Sequence, residues 1–250
     1  MMRRRILSKE NGDPFSVSIG DLMAGMLAIF ILALMVSMIH YDKTTEDLER
    51  GPEYRKEIIN KIEHKFNYNN PDKNAVTFEA EKGIIRITTN DVVGNSGQGI
   101  FESGKEYLTP YGISVIQKLG QAMAESKDEM PDEWKAIDTV IIEGHTDRDG
   151  FNNNNGMTDE EQNLQLSQER AFQTWSFMKK NSEPSVANFM ISKNGDGNDL
   201  FAVAGYGQSR LLKVNEKAKN RRIEFRFILT SNKELLKEAA KGVAKASSSK

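Results

Sequence analysis

Cysteine is missing altogether from this chain of 250 residues. Its absence excludes disulfides and thiolate metal sites but leaves the compartment open, because an exported domain does not require disulfides. An excess of one charge is missing too. Lys and Arg number 34 against 36 Asp and Glu, a net charge of -2, so nothing here invites a polyanion and no nucleic-acid binding is expected. The histidines stand only at positions 40, 64 and 145. They lack metal-ligand spacing, so neither a zinc site nor a cofactor is expected. Ser167, His145 and Asp147 supply the residue types of a hydrolytic triad, but no nucleophile-elbow sequence accompanies them, and the chain is read as no enzyme. Asn194, Asp196 and Asn198 imitate the start of an EF-hand loop. Asp199 stands where that loop needs Gly, and Gly205 where it needs its last Glu, so a turn is the better reading.

Long apolar runs are scarce as well: the one strong run is Phe15 to Ile39, with Leu22 to Ile39 reading LMAGMLAIFILALMVSMI. About 20 residues at roughly 1.5 Å each match a hydrocarbon core of about 30 Å. A cleaved signal peptide fits poorly. The run exceeds the roughly 7 to 15 residues of a signal, and Ser37 to Asp42 (SMIHYD) offers no small-x-small cleavage site. Arg3, Arg4, Arg5 and Lys9 precede the run, against Lys43 and Arg50 just after it. The excess places the N-terminus in the cytoplasm and everything after Tyr41 on the exported side, the periplasm if the membrane is a bacterial inner membrane.

Asp21 lies within this run. A carboxylate in hydrocarbon costs roughly 2.5 to 3.5 kcal/mol at a helix centre, against a gain of about 0.3 to 0.6 for each large aliphatic residue. Such an acid usually marks an ion pathway, where a partly desolvated carboxyl takes up and releases a cation. On a helix Asp21 shares its stripe with Ala24, Gly25, Ala28 and Leu32, a narrow face that lets another helix approach closely. The alternative is an acid that snorkels to the cytoplasmic surface or caps the helix from Gly20. One span cannot form a channel alone, so the ion-pathway reading requires partner helices.

The remainder suggests one α+β domain. Residues 1–14 are a cytoplasmic N-terminus, 15–40 the transmembrane helix, 41–74 a polar linker, 75–230 the exported domain and 231–250 a Lys- and Ala-rich tail. In the linker, Gly51-Pro52 and Asn69-Asn70-Pro71 bracket at most one short helix, Glu53 to Phe66. Strand-type runs at Ala75–Ala80 and Ile84–Thr88 form a hairpin around Lys82-Gly83. Thr109 and Pro110 open a helix with the stripe Ile113, Ile116, Leu119 and Met123. A strand at Ile137–Glu143, a helix near Asn163–Lys179, and strands at Phe201–Ala204 and Arg222–Leu229 complete a mixed sheet with helices on one face.

The chemistry-bearing segments are Glu143-Gly144-His145-Thr146-Asp147, then Asn163 through Leu166-Ser167 to Arg170-Ala171, then Gly205-Tyr206-Gly207, and finally Asn220-Arg221-Arg222-Ile223-Glu224. They place a carboxylate on a loop at a strand end, an arginine on the following helix, and a basic pair entering the last strand. Two readings stand side by side. Asp147 and Arg170 can clamp a zwitterion, one accepting from an ammonium and the other binding a carboxylate with its planar fork, or they can pair with each other as scaffold.

GHTD, NxxLSxxRA, GYG and NRRIE in this order resemble the OmpA-like peptidoglycan-binding domain over roughly Val76 to Leu229. The resemblance implies that Asp147 and Arg170 hold the diaminopimelate residue of the wall peptide. It puts Asn163, Leu166 and Arg221 near that groove, and Phe101, Gly104, Leu108 and Pro110 match the family's upstream element. The chain departs by an insertion, Phe151 to Glu161, expected as a loop beside the groove. Gly20-Asp21-Leu22-Met23-Ala24-Gly25-Met26 ahead of such a domain is similar to the MotB/ZorB-type B subunits of rotary ion-driven motors. That resemblance implies a homodimer inside a ring of multi-span MotA/ZorA-like subunits, with Asp21 binding the translocated proton or sodium ion. The compact chain, the short linker and the lack of aromatics around Asp21 favour the anti-phage Zorya branch over the flagellar one. A passive tether between inner membrane and peptidoglycan is the remaining alternative.

Overall fold

The computed structural model describes residues 14–69, 76–88, 99–102, 104–150, 156–214 and 216–230; in the first helix, 14–21, 40–49 and 69 are described by their backbone alone. The chain divides into two compact units, Met1–Leu48 and Glu49–Lys250. Helix α1 runs Pro14–Asn69 and belongs in part to each. In the first unit, Leu22–Ile39 has a mean hydropathy of 2.6 and is long and apolar enough to cross a membrane. Its large side chains are 48 to 69 % exposed. Asp21 lies in this helix, but its side chain falls outside the described residues.

From Gly51 onward α1 is part of the second unit's core, where the sequence suggests only a short helix in a polar linker. Pro52 sits inside the helix, and an internal proline costs about 3 kcal/mol. Ile58, Ile59, Ile62 and Phe66 are wholly buried. At about 1.5 to 3 kcal/mol each, their burial outweighs the proline, so the helical path survives the break. Lys65 reaches Glu125 at 3.1 Å and Glu129 at 2.6 Å, Lys61 reaches Glu129 at 2.7 Å, and the Phe66 ring meets Phe78 at 5.8 Å.

Strands β1 (Val76–Glu79), β2 (Ile84–Thr88), β3 (Ile137–His145), β4 (Phe201–Gly205) and β5 (Arg222–Leu229) form one sheet in the order β1-β2-β5-β3-β4. β1–β2, β2–β5 and β3–β5 are antiparallel, while β3–β4 is parallel. The parallel pair requires a crossover, supplied by α3 (Asp159–Lys180) and α4 (Pro184–Met190). Helix α2 (Pro110–Glu129) opens as expected, with the Thr109 side chain accepting from Gly112 N and Pro110 in its first turn. A short α5 (Lys217–Asn220) precedes β5. Gly83 closes the β1–β2 hairpin at φ 70°, a conformation glycine adopts without steric cost. The mixed α+β class is therefore observed, with the short helices α4 and α5 added to the expected order.

Strand alternation separates two kinds of side chain. Ile85, Ile87, Val140, Ile142, Ile223, Phe225 and Phe227 share one hydrophobic core with α2, α3, α4 and the last turns of α1. Arg86, Glu143, His145, Arg222, Glu224 and Arg226 occupy the alternate positions. Several of these are buried as deeply as the core: Glu143, His145 and Glu224 are 1 to 2 % exposed.

Candidate functional site

The site forms where β3 ends, on a backbone fixed by glycine. Gly144 and Gly205 are register partners on β3 and β4, and α3 lies directly on both. A Cβ on Gly144 would come 1.9 Å from Ser167 O, and one on Gly205 2.7 Å from Gln168 N. The Ser167 hydroxyl donates to Leu164 O at 2.7 Å and accepts from Gly207 N at 2.8 Å. Thr146 N donates to Gly207 O, and Tyr206 N to Gly144 O, both at 3.0 Å. The end of β3 and the loop after β4 are thus tied backbone to backbone, and the Ser167 hydroxyl fastens α3 to that loop. Gly144→Ala is expected to cost about 3 kcal/mol or more, because overpacking against backbone has no rotamer escape. Urea unfolding measures it, and unchanged stability would show that α3 does not rest on this strand.

The tie brings Asp147 and Arg170 into one neighbourhood, both 5 % exposed. Asp147 Oδ1 accepts from Asp149 N at 3.1 Å. Its Oδ2 lies 3.3 Å from Arg221 Nη1, an ion pair not aligned as a hydrogen bond. Arg170 Nε donates to Lys105 O at 2.9 Å, and its guanidinium lies over the Phe101 ring at 5.1 Å. Burial, followed by the like charge of Arg221, pushes Arg170 down to about 10 against the pull of Asp147 and Glu106; it stays charged at neutral pH. Asn163 Nδ2 donates to Asp149 O at 3.0 Å, and Asp149 pairs with Lys217 at 2.6 Å. Leu166 is buried on α3.

Asp147 therefore meets Arg221 directly and senses Arg170 through space. A half-used carboxylate beside two guanidiniums can accept from an ammonium while the arginines take a carboxylate. Sequence reasoning missed two groups here. The buried Thr146 hydroxyl has no hydrogen-bond partner, and its place next to Asp147 was the available signal. The Lys105 carbonyl is a backbone group, which no side-chain motif reports.

The upstream element holds Arg170 from the other side. Phe101 bridges Leu108, and Gly104 turns the loop between them at φ 68°. The insertion ends sooner than expected, at Met157. Thr158 accepts from Glu161 N while the Glu161 carboxylate accepts from Thr158 N. This capping box starts α3 at Asp159, and residues 151–155 of the insertion lie outside the described residues.

Among the described residues, Glu143, His145 and Glu224 bring one metal-ligand atom each within 4.8 Å of one another. Arginines already occupy the carboxylates. Arg226 donates to both Glu143 oxygens at 2.8 and 2.9 Å and to Glu224 Oε2 at 3.1 Å. Arg86 and Arg222 take Glu224 Oε1 at 2.8 and 2.7 Å. Burial pushes Glu143 up, but His145 and Arg226 outweigh it and hold its carboxyl down to about 2. A divalent cation placed here would face three guanidiniums, so the cluster is an ion-pair network rather than a metal centre. Asn194 is likewise a turn residue: its Oδ1 accepts from Asp196 N and Asn198 N at 3.0 and 2.9 Å.

No family model matches the chain. It is similar to the Zorya protein ZorB of Escherichia coli O139:H28 (strain E24377A / ETEC), 22 % identical over 221 residues, covering 88 % of this chain and 82 % of that one. Among solved structures, the periplasmic domain of Helicobacter pylori MotB is 16 % identical, covers 63 % of this chain and 82 % of its own, and has a TM-score of 0.40. The cell wall anchor of the T6SS from Pseudomonas aeruginosa is 16 % identical, covers 66 % and 94 %, and has a TM-score of 0.41. The MotB/ZorB-type likeness carried by the motifs is thus borne out along most of the chain.

Proposed function

We propose that this chain is a stator B subunit of an inner-membrane rotary motor, held to peptidoglycan by its exported domain and serving anti-phage defence of the Zorya kind. The observation that carries the wall-holding part is the half-used Asp147 carboxylate buried beside Arg170 and Arg221. A zwitterionic diaminopimelate side chain complements both signs at once. Asn163 and the α3 backbone hold the strand-end loop in place from one side, and the Phe101–Leu108 loop supports Arg170 from the other.

The motor part rests on the apolar helix. A proton or sodium ion bound at Asp21 removes its charge, changes its preferred contacts with a surrounding ring of multi-span MotA/ZorA-like subunits, and lets ion flow turn that ring. Two copies of the chain share the ring, with their N-termini in the cytoplasm and their clamps in the periplasm. No catalytic step belongs to the chain itself; the energy comes from the ion gradient.

The full chain, purified in mild detergent, is expected to sediment with isolated peptidoglycan and to carry a multi-span partner with it. Sedimentation without such a partner reduces the protein to a tether. Failure to sediment removes the wall-holding role.

A further inference from the structure

Below the clamp lies a buried histidine that the wall-holding role does not use. His145 ends β3 in register with Arg222 of β5. Asp147 follows it by two residues and Arg221 precedes Arg222 by one, so the two partners of the clamp ion pair hang from one register pair. The ring is 1 % exposed, and neither of its nitrogens has a hydrogen-bond partner. Nε2 lies 3.7 Å from Glu143 Oε2 and 3.9 Å from Glu224 Oε2. Tyr206 stacks on the ring at 5.4 Å and 14°, and Arg210 lies against Tyr206 at 3.8 Å.

We propose that His145 is a proton-sensing positioning residue: protonation there loosens the Asp147–Arg221 pair and weakens the hold on the wall peptide when the exported side turns acidic. This rests on the wall-holding reading above. The groups around the ring are Glu143 on its own strand, Arg222, Glu224 and Arg226 from β5, Arg86 from β2, Glu79 from β1 through its pair with Arg86, and Tyr206 and Arg210 from the loop after β4. With the imidazole neutral, the glutamates Glu79, Glu143 and Glu224 already face the arginines Arg86, Arg222 and Arg226, with Arg210 beyond Tyr206. An imidazolium adds a further positive charge beside carboxylates that the arginines already hold. It competes with Arg226 for Glu143 Oε2 and Glu224 Oε2, and it repels Arg222.

Arg222 is the link to the clamp. Its Nη1 donates to Asn220 O at 3.1 Å and its Nη2 to Arg210 O at 3.0 Å. Displacing it frees the backbone on which Arg221 is mounted. Burial holds the imidazole below its ordinary range; Glu143 pulls it up, Arg222 pushes it down and Glu224 pulls it up. The folded state therefore binds this proton less readily than the unfolded chain. Stability from neutral His145 is complete above about pH 6.5 and declines as pH falls below it. The clamp loosens lower still, where the folded imidazole itself titrates.

The test uses the full chain in detergent micelles and meso-diaminopimelate, whose carboxylates and ammonium groups keep their charge between about pH 5 and pH 7. Calorimetric titration is expected to show binding weaker by about fivefold or more at the lower pH, the low end of ordinary coupling between sites. His145→Gln should bind equally at both, while His64→Gln, altered at an exposed position on α1, keeps the wild-type dependence. Equal wild-type affinity above and below the His145 midpoint read by ring NMR, or an undiminished pH dependence in His145→Gln, overturns the proposal. Histidine-ring and backbone-amide NMR of the unaltered chain provides a second readout. The amides of Asp147 and Arg221 should move with the His145 midpoint, and amides that stay still overturn the coupling. Absence of diaminopimelate binding at either pH with amides that do move removes the wall-holding reading and leaves the coupling standing.

Discussion

If the proposed motor role holds, exchanging Asp21 for asparagine is expected to abolish phage protection while the chain still inserts, dimerises and co-purifies with the proposed multi-span partner. The amide has nearly the carboxyl's shape but cannot lose a proton or bind a cation by charge. The membrane cost of a carboxylate, roughly 2.5 to 3.5 kcal/mol at a helix centre, is then removed, so assembly should be undamaged or improved. A loss of activity with gain of assembly separates an ion relay from helix packing, because a packing residue would lose both or neither. The readouts are plaque counts in cells carrying the genes at their own locus and recovery of the partner from the same cells. Full protection in Asp21→Asn would end the motor interpretation.

Arg170→Ala is expected to weaken retention on isolated peptidoglycan by more than tenfold. Truncating one member of a buried charged set costs about 2 to 5 kcal/mol, and here alanine also removes the guanidinium from the Phe101 ring and strips the Lys105 carbonyl of its donor. Arg170→Lys separates charge from shape. It keeps the cation but loses the flat fork and much of the stacking, so retention should fall between wild type and alanine. Asp147→Asn should act in the same direction, leaving Arg170 and Arg221 without the acid between them. Sedimentation with sacculi measures all three, and circular dichroism checks that each variant is folded. Wild-type retention in Arg170→Ala with an intact fold would remove this residue from the clamp.

The elements legible in the sequence are those whose signal is local. Thr109-Pro110 marks the start of α2, the Lys82-Gly83 pair marks the β1–β2 turn, and the apolar runs at β3 and β5 are bounded by turn residues, so their positions follow from spacing alone. The continuity of α1 was not legible, because Gly51-Pro52 reads as a break and only the core reveals what Ile58, Ile59, Ile62 and Phe66 gain by staying helical. Helix α4 has its signal, Pro184 followed by Val186, Phe189 and Met190 at helical spacing, but is a mere seven residues long.

At the site, the motifs name Asp147, Arg170 and Arg221, while the direct contact between the first and the third depends on how β3 and β5 end side by side. Arg86, Glu143, Glu224 and Arg226 alternate with apolar residues as they would on a wet sheet face. That Glu143 and Glu224 are buried follows from the tertiary arrangement, in which arginines cover the carboxylates and the loop after β4 lays Tyr206 on His145 and its Arg210 carbonyl on Arg222. No window of sequence contains that information.

The capping box at Thr158 and Glu161, together with the bare contacts of Gly144 and Gly205 with α3, makes the insertion before α3 a replaceable cassette. The helix begins from its own cap and is seated by the sheet, so its register does not depend on how many residues precede Met157. Lengthening, shortening or recomposing the chain ahead of Met157 is therefore expected to leave Arg170 where α3 mounts it.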